Sequence, residues 1–444
     1  MTDPVIVIGA GISGLAAATA LRKRGRAVQV IETSDRPGGR AVTIPRPDGS
    51  GDRVDVGTQY FHSNYSRGKA LLKDAGVTWR RLRGGTYFFD DLHPAGGFST
   101  GHRFPVIRSI GLRGNVALFA RGLARMLRHP IHPYAVTSYP GPDSLTALEA
   151  VTDPVERAYT LRALISVGAL VEPEGQPGFD ISYLHLVRLM RIILMTDYLV
   201  LDDGMAAVHT ALAGRLDVSY ATRAQGLLCK GSEDGPVTGV VLTDGRVLRA
   251  SAVVAAVPPQ ALAELLPRDW TSEQAFLRDI PHPPGVIVTL FLDRPLKGRC
   301  WSFVFPHDPA RLVSFCVDAA RKSPAMVPSR RSALQAWICW PKAGDVAATT
   351  DPDLVRRVIA ELSSFFPKLA DRVDSSDVTR HAQAVPQCLP GHSERAQQFL
   401  AAMDRRDGLE VCGDFLSGGY VESALASTER AVARVLAQAP NRRI

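Results

Sequence analysis

The sequence predicts an α/β protein of two domains, one of which is built on a parallel sheet. Two observations lead to this fold class. A short β-branched apolar run, Val5 to Ile8, is followed by a glycine-rich turn, an Ala- and Leu-rich helix and a second strand from Ala27 to Ile31, which is the order of a βαβ unit. The chain also has 444 residues, more than one hydrophobic core usually organises, so a second domain is expected.

The turn after the first strand reads GAGISG, and the second strand ends in an acidic residue. This order is typical of a dinucleotide-binding fingerprint. The first glycine permits the tight turn, the second lets the backbone approach a pyrophosphate, and the third lets the helix pack on the strand. The N–H groups at the helix N-terminus favour phosphate, and the acid accepts hydrogen bonds from the adenosine ribose. The predicted cofactor contacts in this unit are Gly9, Gly11, Ile12, Ser13, Gly14 and Glu32.

Composition and charge exclude several classes of protein. The chain is 45% hydrophobic and 22% charged, which is ordinary for a globular enzyme. Its net charge of +8 comes mostly from arginines interspersed with acids, so nucleic-acid binding is not expected. The six cysteines are scattered without a CxxC pair, which predicts neither a disulfide framework nor a metal site. No signal peptide and no apolar run of about 20 residues is present, so a cytoplasmic location is expected.

Four stretches carry a resemblance to a known family: VIVIGAGISGLAAATAL, IETSDRPGGRAVT, VDVGTQYF and EVCGDFLSGGYVESALASTERAV. Together they resemble the large FAD family of flavin amine oxidases, protoporphyrinogen oxidase and phytoene desaturases. The resemblance implies a Rossmann-like FAD-binding domain of the glutathione-reductase type and a second, α+β substrate-binding domain. No cysteine stands where the family attaches its flavin covalently, so FAD is expected to be bound non-covalently.

The resemblance also implies how the second glycine pair is used. Gly38 and Gly39 close over the FAD phosphates, and Arg40 neutralises pyrophosphate charge. The physical argument agrees, because a guanidinium matches phosphate oxygens in bidentate geometry.

Further cofactor contacts follow from the resemblance in the middle and at the end of the chain. The loop from Asp55 to Tyr60 passes the flavin ring, the Gly-Asp pair near the C-terminus contacts the ribityl–phosphate arm, and a helix from about Val421 to Gln438 points its N-terminus at the flavin. A residue at the start of a central strand contacts the adenine. The residues implied are Gly57, Thr58, Gln59, Ala224, Gly413, Asp414 and Val421.

Because both ends of the chain contact FAD, its domain must be discontinuous. The predicted FAD-binding domain comprises 1–85, 201–266 and 401–444, and the substrate-binding domain 86–200 and 267–400. A three-stranded meander is predicted around the turn at Asp244-Gly245. The first insert is mainly helical, with Asp143 as the N-cap of the helix in DSLTALEAV. The second contains the strands GVIVTLFLD, WSFVFP and LQAWICWP and the helix TDPDLVRRVIAELSSFFP.

The residues that face the substrate are less strongly indicated. Tyr420 aligns with an aromatic position before the flavin, and Tyr60 and Gln59 are candidate neighbours. Trp301, Trp337 and Trp340 fit a pocket or a core position equally well. Three histidines, His62, His282 and His381, are candidate bases but are more often structural.

Three functions remain open at this point. The first is an FAD-dependent oxidoreductase that dehydrogenates or oxidises a bulky hydrophobic molecule at a C–C or C–N bond, with oxygen or another electron acceptor. The second is an amine or amino-acid oxidase. Two features count against it. The lysine that many amine oxidases carry is missing from PPGVIVTLFLDRPL, which has none before Lys297, and AVPQCLPGHSERAQQF resembles the matching stretch of protoporphyrinogen oxidases. The third is an FAD-dependent isomerase with no net oxidation.

One segment has an unusual charge pattern. From Leu92 to Pro142 the chain has six arginines and no acidic residue, and apolar residues recur there at helical spacing. Such a helix either contacts an anionic membrane surface, as a peripheral partner, or packs in the substrate domain with a solvated arginine face.

Overall fold

The structure is a computed structural model of the whole chain. It describes residues 3–89, 110–135, 143–157, 164–172, 180–193, 196–305 and 308–438, and the backbone of 98–100. Strands β1 to β20 are, in chain order, Val5–Ile8, Val28–Ile31, Thr43–Pro45, Arg53–Asp55, Phe61–His62, Trp79–Arg81, Thr86–Phe88, Phe98–Thr100, Tyr198–Leu201, Asp217–Ser219, Ala224–Cys229, Val237–Leu242, Val247–Arg249, Ala252–Ala255, Gly285–Leu292, Ser302–Val304, Phe315–Asp318, Ser332–Ile338, Val373–His381 and Leu409–Val411.

The helices alternate with these strands in the first part of the chain and are concentrated in the inserts. Helices α1 to α15 are Ile12–Lys23, Ser66–Ala75, Gly111–Arg128, Ala147–Ala150, Pro154–Glu156, Val167–Ala169, Tyr183–Ile193, Ala206–Ala213, Pro259–Leu265, Thr271–Arg278, Ala319–Lys322, Lys342–Asp345, Asp351–Leu362, His392–Met403 and Val421–Ala437. Short 3₁₀ turns cover Pro324–Met326, Ala370–Arg372 and Asp414–Leu416.

The predicted α/β class is confirmed by a five-stranded parallel sheet in the order β10-β2-β1-β14-β20. All four residues of β1 and of β14 are buried, as expected for strands covered by helices on both faces. The sheet combines the N-terminal βαβ unit with β20, which directly precedes the C-terminal motif. Both ends of the chain therefore contribute strands to one sheet, with only β14 between β1 and β20.

The largest sheet is a seven-stranded mixed sheet in the order β19-β15-β18-β17-β16-β7-β8, within the part of the chain predicted to bind substrate. Strands β15, β16 and β18 lie where the sequence predicts them. Strand β19 is missing from the prediction because its residues, VDSSDVTRH, are mostly polar. It is an edge strand that pairs with β15 and is partly covered by α13, and its residues show no apolar alternation for a sequence pattern to reveal.

Hydrophobic packing indicates an adjustment to the predicted domain division. Helices α10 and α14 fall in 267–400, but their apolar residues join the cluster that covers the parallel sheet. Trp270, Phe276 and Leu277 pack there with Ala396 and Phe399. These two helices therefore pack with the parallel sheet, whereas the seven-stranded sheet has a separate core.

The predicted N-cap of the helix in DSLTALEAV is wrong. Helix α4 starts after Thr146, which forms a capping box with Glu149. Asp143 instead accepts hydrogen bonds from the Ser182 hydroxyl and from the Ser393 N–H at 3.2 Å. This residue joins the starts of α7 and α14, and such a tertiary link is not visible in local sequence.

Candidate active site

The glycines of the first turn separate into two groups. Gly9 has φ of +102°, and a Cβ there would lie 2.6 Å from the Ala256 carbonyl oxygen. A Cβ on Gly14 would overlap the Gly9 carbonyl oxygen, so these two glycines are required by the fold itself. A Cβ on Gly11, by contrast, would meet nothing within 4 Å. The open space over Gly11, at the N-terminus of α1 with Ile12 and Ser13, fits a pyrophosphate.

Glu32 is fixed over this turn by two backbone donors. Its carboxylate accepts from the Ala10 N–H at 2.7 Å and from the Ser34 N–H at 2.8 Å. The Glu32 carbonyl in turn accepts from the Thr222 N–H at 2.8 Å, which brings the segment that leads into β11 alongside. Ala224 is the first residue of β11, so the predicted adenine contact lies on the same side of the sheet as the predicted ribose contact.

The second glycine pair faces the first turn. The Gly38 N–H donates to the Ala10 carbonyl at 2.9 Å, and both Gly38 and Gly39 have positive φ. A Cβ on Gly39 would lie 3.9 Å from Cα of Gly11. The two loops thus border one gap, and both leave it free of side-chain atoms, as a bound pyrophosphate requires.

Arg40 connects this gap to the C-terminal motif. Its guanidinium donates to the Asp414 carboxylate at 2.7 Å and to the Ala384 carbonyl at 2.9 Å. Its side chain is 37% exposed, whereas that of Asp414 is 12% exposed. Burial, and then the neighbouring Arg40, lower the pKa of His282 to about 4, so this imidazole is neutral beside the pair. Contact between Arg40 and phosphate stays a prediction; the Asp414 partner is one that sequence reasoning missed.

The loop expected beside the flavin ring packs on the second glycine loop. A Cβ on Gly57 would overlap the Arg40 carbonyl oxygen, and the Thr58 N–H donates to that oxygen at 3.4 Å. A glycine is therefore required at position 57 for its loop to pack against the second glycine loop. The Gln59 amide donates to the Asp55 and Gly57 carbonyls at 2.9 and 3.1 Å, so it stabilises its own loop, and its contact with flavin or substrate stays a prediction.

Lys322 is a buried residue of this region that sequence reasoning missed. Its side chain is 1% exposed, and its ammonium donates to the Asp55 carboxylate at 3.0 Å and to the Gln59 side-chain oxygen at 2.7 Å. Lys322 does not take the place of the family's lysine that is absent from β15, because its ammonium is already hydrogen-bonded to the loop of Asp55 and Gln59. Its sequence context, DAARKSP, gives no local signal of burial.

The C-terminal motif presents the start of α15 to the same region. The Ser427 hydroxyl bridges the N–H and carbonyl of Gly413 at 3.0 and 3.1 Å. Helix α15 begins at Val421, and no side chain caps its first turn. Glu422 turns away, accepting from the Arg67 and Gly68 N–H groups at the start of α2. The first N–H groups of α15 therefore remain available to an anionic or carbonyl ligand.

An aromatic cluster lies next to this helix start. Tyr60 and Tyr198 have ring centroids 4.3 Å apart, and Trp301 stands edge-on at 6.0 Å from Tyr60. His62 links them to Tyr420, at 5.1 Å from Tyr198 and 6.3 Å from Tyr420. The predicted neighbours Tyr60 and Tyr420 lie in one cluster, with His62 between them. Sequence reasoning missed Tyr198, because no motif marks its position after the helical insert.

These aromatic residues carry no charge near neutral pH. Burial lowers the pKa of His62 to about 3 and raises that of Tyr60 to about 12. Burial also raises the pKa of Tyr198 and Tyr420 well above the ordinary value for tyrosine. The cluster is therefore an apolar, uncharged surface with polar groups only at the ring edges.

The other aromatic and histidine candidates lie apart from this cluster or are engaged structurally. Trp337 stacks on Phe315 at 5.3 Å, and Trp340 precedes a cis proline. His381 bonds the Val56 carbonyl at 2.6 Å, and His62 bonds the Thr196 hydroxyl at 3.1 Å. Among the described residues, no group of His, Cys, Asp and Glu side chains is arranged to hold a metal ion.

Comparison with known proteins decides the family. The model of the flavin-containing amine oxidoreductases matches residues 12–436. The chain belongs to this family. Its members are FAD-dependent oxidoreductases, and the gap over Gly11, the Glu32 carboxylate and the start of α15 fit that cofactor.

Two curated relatives of this amine oxidoreductase family member align with most of its length. It is 24% identical to 15-cis-phytoene desaturase of Narcissus pseudonarcissus, with 96% of this chain and 77% of the relative covered. It is 25% identical to coproporphyrinogen III oxidase of Mycobacterium bovis, with 97% and 96% covered. The solved structure of cyclohexylamine oxidase from Brevibacterium oxydans has the same fold, with a TM-score of 0.74 at 21% identity over 99% of each chain.

Proposed function

We propose that this enzyme dehydrogenates or oxidises a bulky hydrophobic small molecule at a C–C or C–N bond, with non-covalently bound FAD. The observation that carries the proposal is the uncharged aromatic cluster of Tyr60, Tyr198, Trp301 and Tyr420 beside the start of α15. An apolar substrate gains from burial against such rings, whereas a charged substrate would lose hydration without an ionic partner there. The curated relative named for phytoene, a hydrocarbon, supports the same substrate class.

The roles of the chain's own residues follow from their placement. FAD accepts a hydride equivalent from substrate carbon when bound. Tyr60, Tyr198 and Tyr420 orient the substrate and exclude water by their packing. Because none of these side chains is ionised near neutral pH, the cluster supplies orientation and dryness rather than a strong base. The uncapped N–H groups of α15 stabilise negative charge that develops beside them.

Anaerobic reduction of the holoenzyme tests the proposal. FAD-loaded protein is mixed without oxygen with phytoene, with a porphyrinogen and with cyclohexylamine, and the visible flavin absorption is followed. Loss of that absorption with a hydrophobic C–H donor, and not with the amine, supports the proposal. Reduction by amines alone, with peroxide formed on readmitting oxygen, would assign an amine oxidase. Conversion of a substrate to an isomer, with no net change in the oxidation state of the flavin, would assign an isomerase.

A pair of variants locates the substrate surface. Tyr198→Phe keeps the ring and should leave flavin reduction within about twofold of wild type. Tyr198→Ala removes it and should raise the substrate concentration for half-maximal reduction by about tenfold or more, since a large aromatic ring contributes about 2 kcal/mol by burial. FAD binding should be unchanged in both variants. If the two variants need the same substrate concentration for half-maximal reduction, the substrate does not bind against the Tyr198 ring.

A further inference from the structure

We propose that helix α3 (Gly111–Arg128) docks this enzyme on an anionic lipid surface. The segment from Leu92 to Pro142 admits two interpretations by sequence, and the structure distinguishes them by showing which face of α3 is packed. The docking surface meant here is the stripe of apolar residues on α3 together with the arginines on its border. The docking itself does not depend on the substrate, whereas its use in delivering a hydrophobic substrate rests on the function proposed above.

Exposed large hydrophobic residues are concentrated on α3. Of nine such side chains among the described residues, five belong to this helix. Their positions are four, three, four and four residues apart, which places them on one face. The members of the stripe and their exposed fractions are Leu112 81%, Val116 59%, Phe119 49%, Leu123 39% and Leu127 72%.

The side of α3 next to this stripe packs on the protein. Gly122 is its one buried residue, and Met126 contacts the cluster around α7. Arg125 forms a two-pronged ion pair with Glu156 at 3.0 and 3.2 Å, and Arg121 pairs with Asp153 at 2.6 Å. Arg191 of α7 also donates to the Met126 carbonyl. These contacts fix the helix so that its apolar stripe faces outward.

The positive charge of α3 indicates which kind of partner this surface binds. Arg113 is exposed next to the stripe and Arg128 is exposed further round the helix, and no carboxylate among the described residues pairs with them. Helix α3 itself contains no acidic residue. An apolar stripe bordered by arginines matches the boundary between acyl chains and anionic headgroups, into which such helices insert in the plane of the membrane. None of the described helices is long and apolar enough to cross a membrane, so docking along the surface is the geometry that remains.

The position of α3 suits delivery of a hydrophobic substrate. Helix α3 lies against α7, and Leu189 and Ile193 on another face of α7 approach Gly168, whose carbonyl accepts from the Tyr420 hydroxyl at 3.3 Å. A single helix thus separates the docking surface from the aromatic cluster. A molecule dissolved in the bilayer would reach the site without crossing a long aqueous path.

Vesicle flotation of the FAD-loaded protein tests the proposal. Binding is compared for vesicles of phosphatidylcholine alone and of phosphatidylcholine mixed with phosphatidylglycerol, at low and high salt. We expect wild type to float with the anionic vesicles and to be released by salt. Arg113→Gln with Arg128→Gln should weaken binding by about fivefold per arginine. Leu123→Glu with Leu127→Glu should weaken it by more than about tenfold per leucine.

A matched control is available on the FAD-binding side. Val247 on β13 is 50% exposed, and Val247→Glu makes the same kind of change away from α3, so it should float like wild type. FAD content reports that each variant is folded. The proposal is overturned if wild type floats with neither vesicle, or if the α3 leucine variants float as well as wild type. It is also overturned if light scattering shows a dimer that the leucine variants dissociate, which would assign this surface to a second copy of the chain.

Discussion

The Arg40 guanidinium and the Asp414 carboxylate form an ion pair at 2.7 Å, although the two residues are 374 positions apart. Arg40 ends the second glycine loop, and Asp414 follows the last strand of the parallel sheet. Their contact joins the two motifs that are predicted to hold FAD, one from each end of the chain. Cofactor affinity should therefore depend on this pair as well as on the glycine loops.

The first prediction is that Arg40→Ala weakens FAD binding by about tenfold to a hundredfold. A charge-assisted hydrogen bond contributes about 1.5–3 kcal/mol, and the partial exposure of Arg40 favours the lower end of that range. Arg40→Lys should recover part of the loss, because an ammonium restores the charge but not the two-pronged geometry. The measurement is quenching of flavin fluorescence on titration of the apoprotein with FAD.

An exposed arginine provides the control for this titration. Arg53 pairs with Asp203 at the surface at 3.4 Å, and Arg53→Ala should bind FAD like wild type. If Arg40→Ala also binds FAD like wild type, Arg40 serves only to link the two chain ends.

The second prediction separates two glycines of the same turn. Gly11→Ala should leave the stability of the apoprotein unchanged, because its Cβ meets nothing within 4 Å and its φ of −75° suits alanine. The same change should lower FAD affinity by at least about tenfold, since the methyl group occupies the space over the turn. Gly14→Ala should instead prevent stable folding, because its Cβ overlaps the Gly9 carbonyl. Circular dichroism of the apoproteins and FAD titration distinguish the two; tight FAD binding by Gly11→Ala would contradict the assignment.

The third prediction concerns pH. The pKa of His62 is lowered to about 3 and that of Tyr60 is raised to about 12, both by burial. His62 is therefore neutral above its lowered pKa, and Tyr60 is neutral below its raised one. We expect the rate constant of anaerobic flavin reduction by a non-ionising substrate to be flat from about pH 5 to about pH 9. A step near pH 6.5 that disappears in His62→Gln would show instead that this histidine titrates during the reaction.

Local motifs explain why much of the fold was predictable. The βαβ unit, the meander at Asp244 and helix α15 each depend on patterns of neighbouring residues, and the observed elements begin or end within one or two residues of the predicted ones. Gly9 and Gly14 are required by contacts inside the same unit. Such features are encoded within about 40 residues, so periodicity and turn chemistry suffice to find them.

The unpredicted features all depend on distant contacts. Tyr198 joins Tyr60 only because β9 pairs with β5. Lys322 is buried only because α11 meets the Asp55 loop, and Asp143 caps elements that lie far along the chain. Each of these contacts joins elements that are distant in the chain, which no single stretch of sequence specifies.

The last prediction compares two buried cations. Lys322 is 1% exposed and pairs with Asp55, whereas Arg188 on α7 is 2% exposed. No hydrogen bond or ion pair involves the Arg188 guanidinium among the described residues, and its Nε is a buried donor without an acceptor. Burial lowers the pKa of Arg188, which expresses the cost of holding its charge away from water.

Lys322→Met should therefore destabilise the holoenzyme strongly and Arg188→Met should not. Removing Lys322 leaves the buried Asp55 carboxylate uncompensated, at a cost of about 3–5 kcal/mol. Because Asp55 keeps its hydrogen bonds from the Met205 N–H and the Thr43 hydroxyl, the lower end of that range is expected. Removing Arg188 breaks no hydrogen bond or ion pair among the described residues, and it relieves a desolvation penalty that outweighs the attraction of the Asp143 carboxylate, so its thermal midpoint should be equal to or above that of wild type. Scanning calorimetry at saturating FAD and one fixed scan rate measures both variants, and an equal drop in the two midpoints would show that Arg188 has an anionic partner in solution.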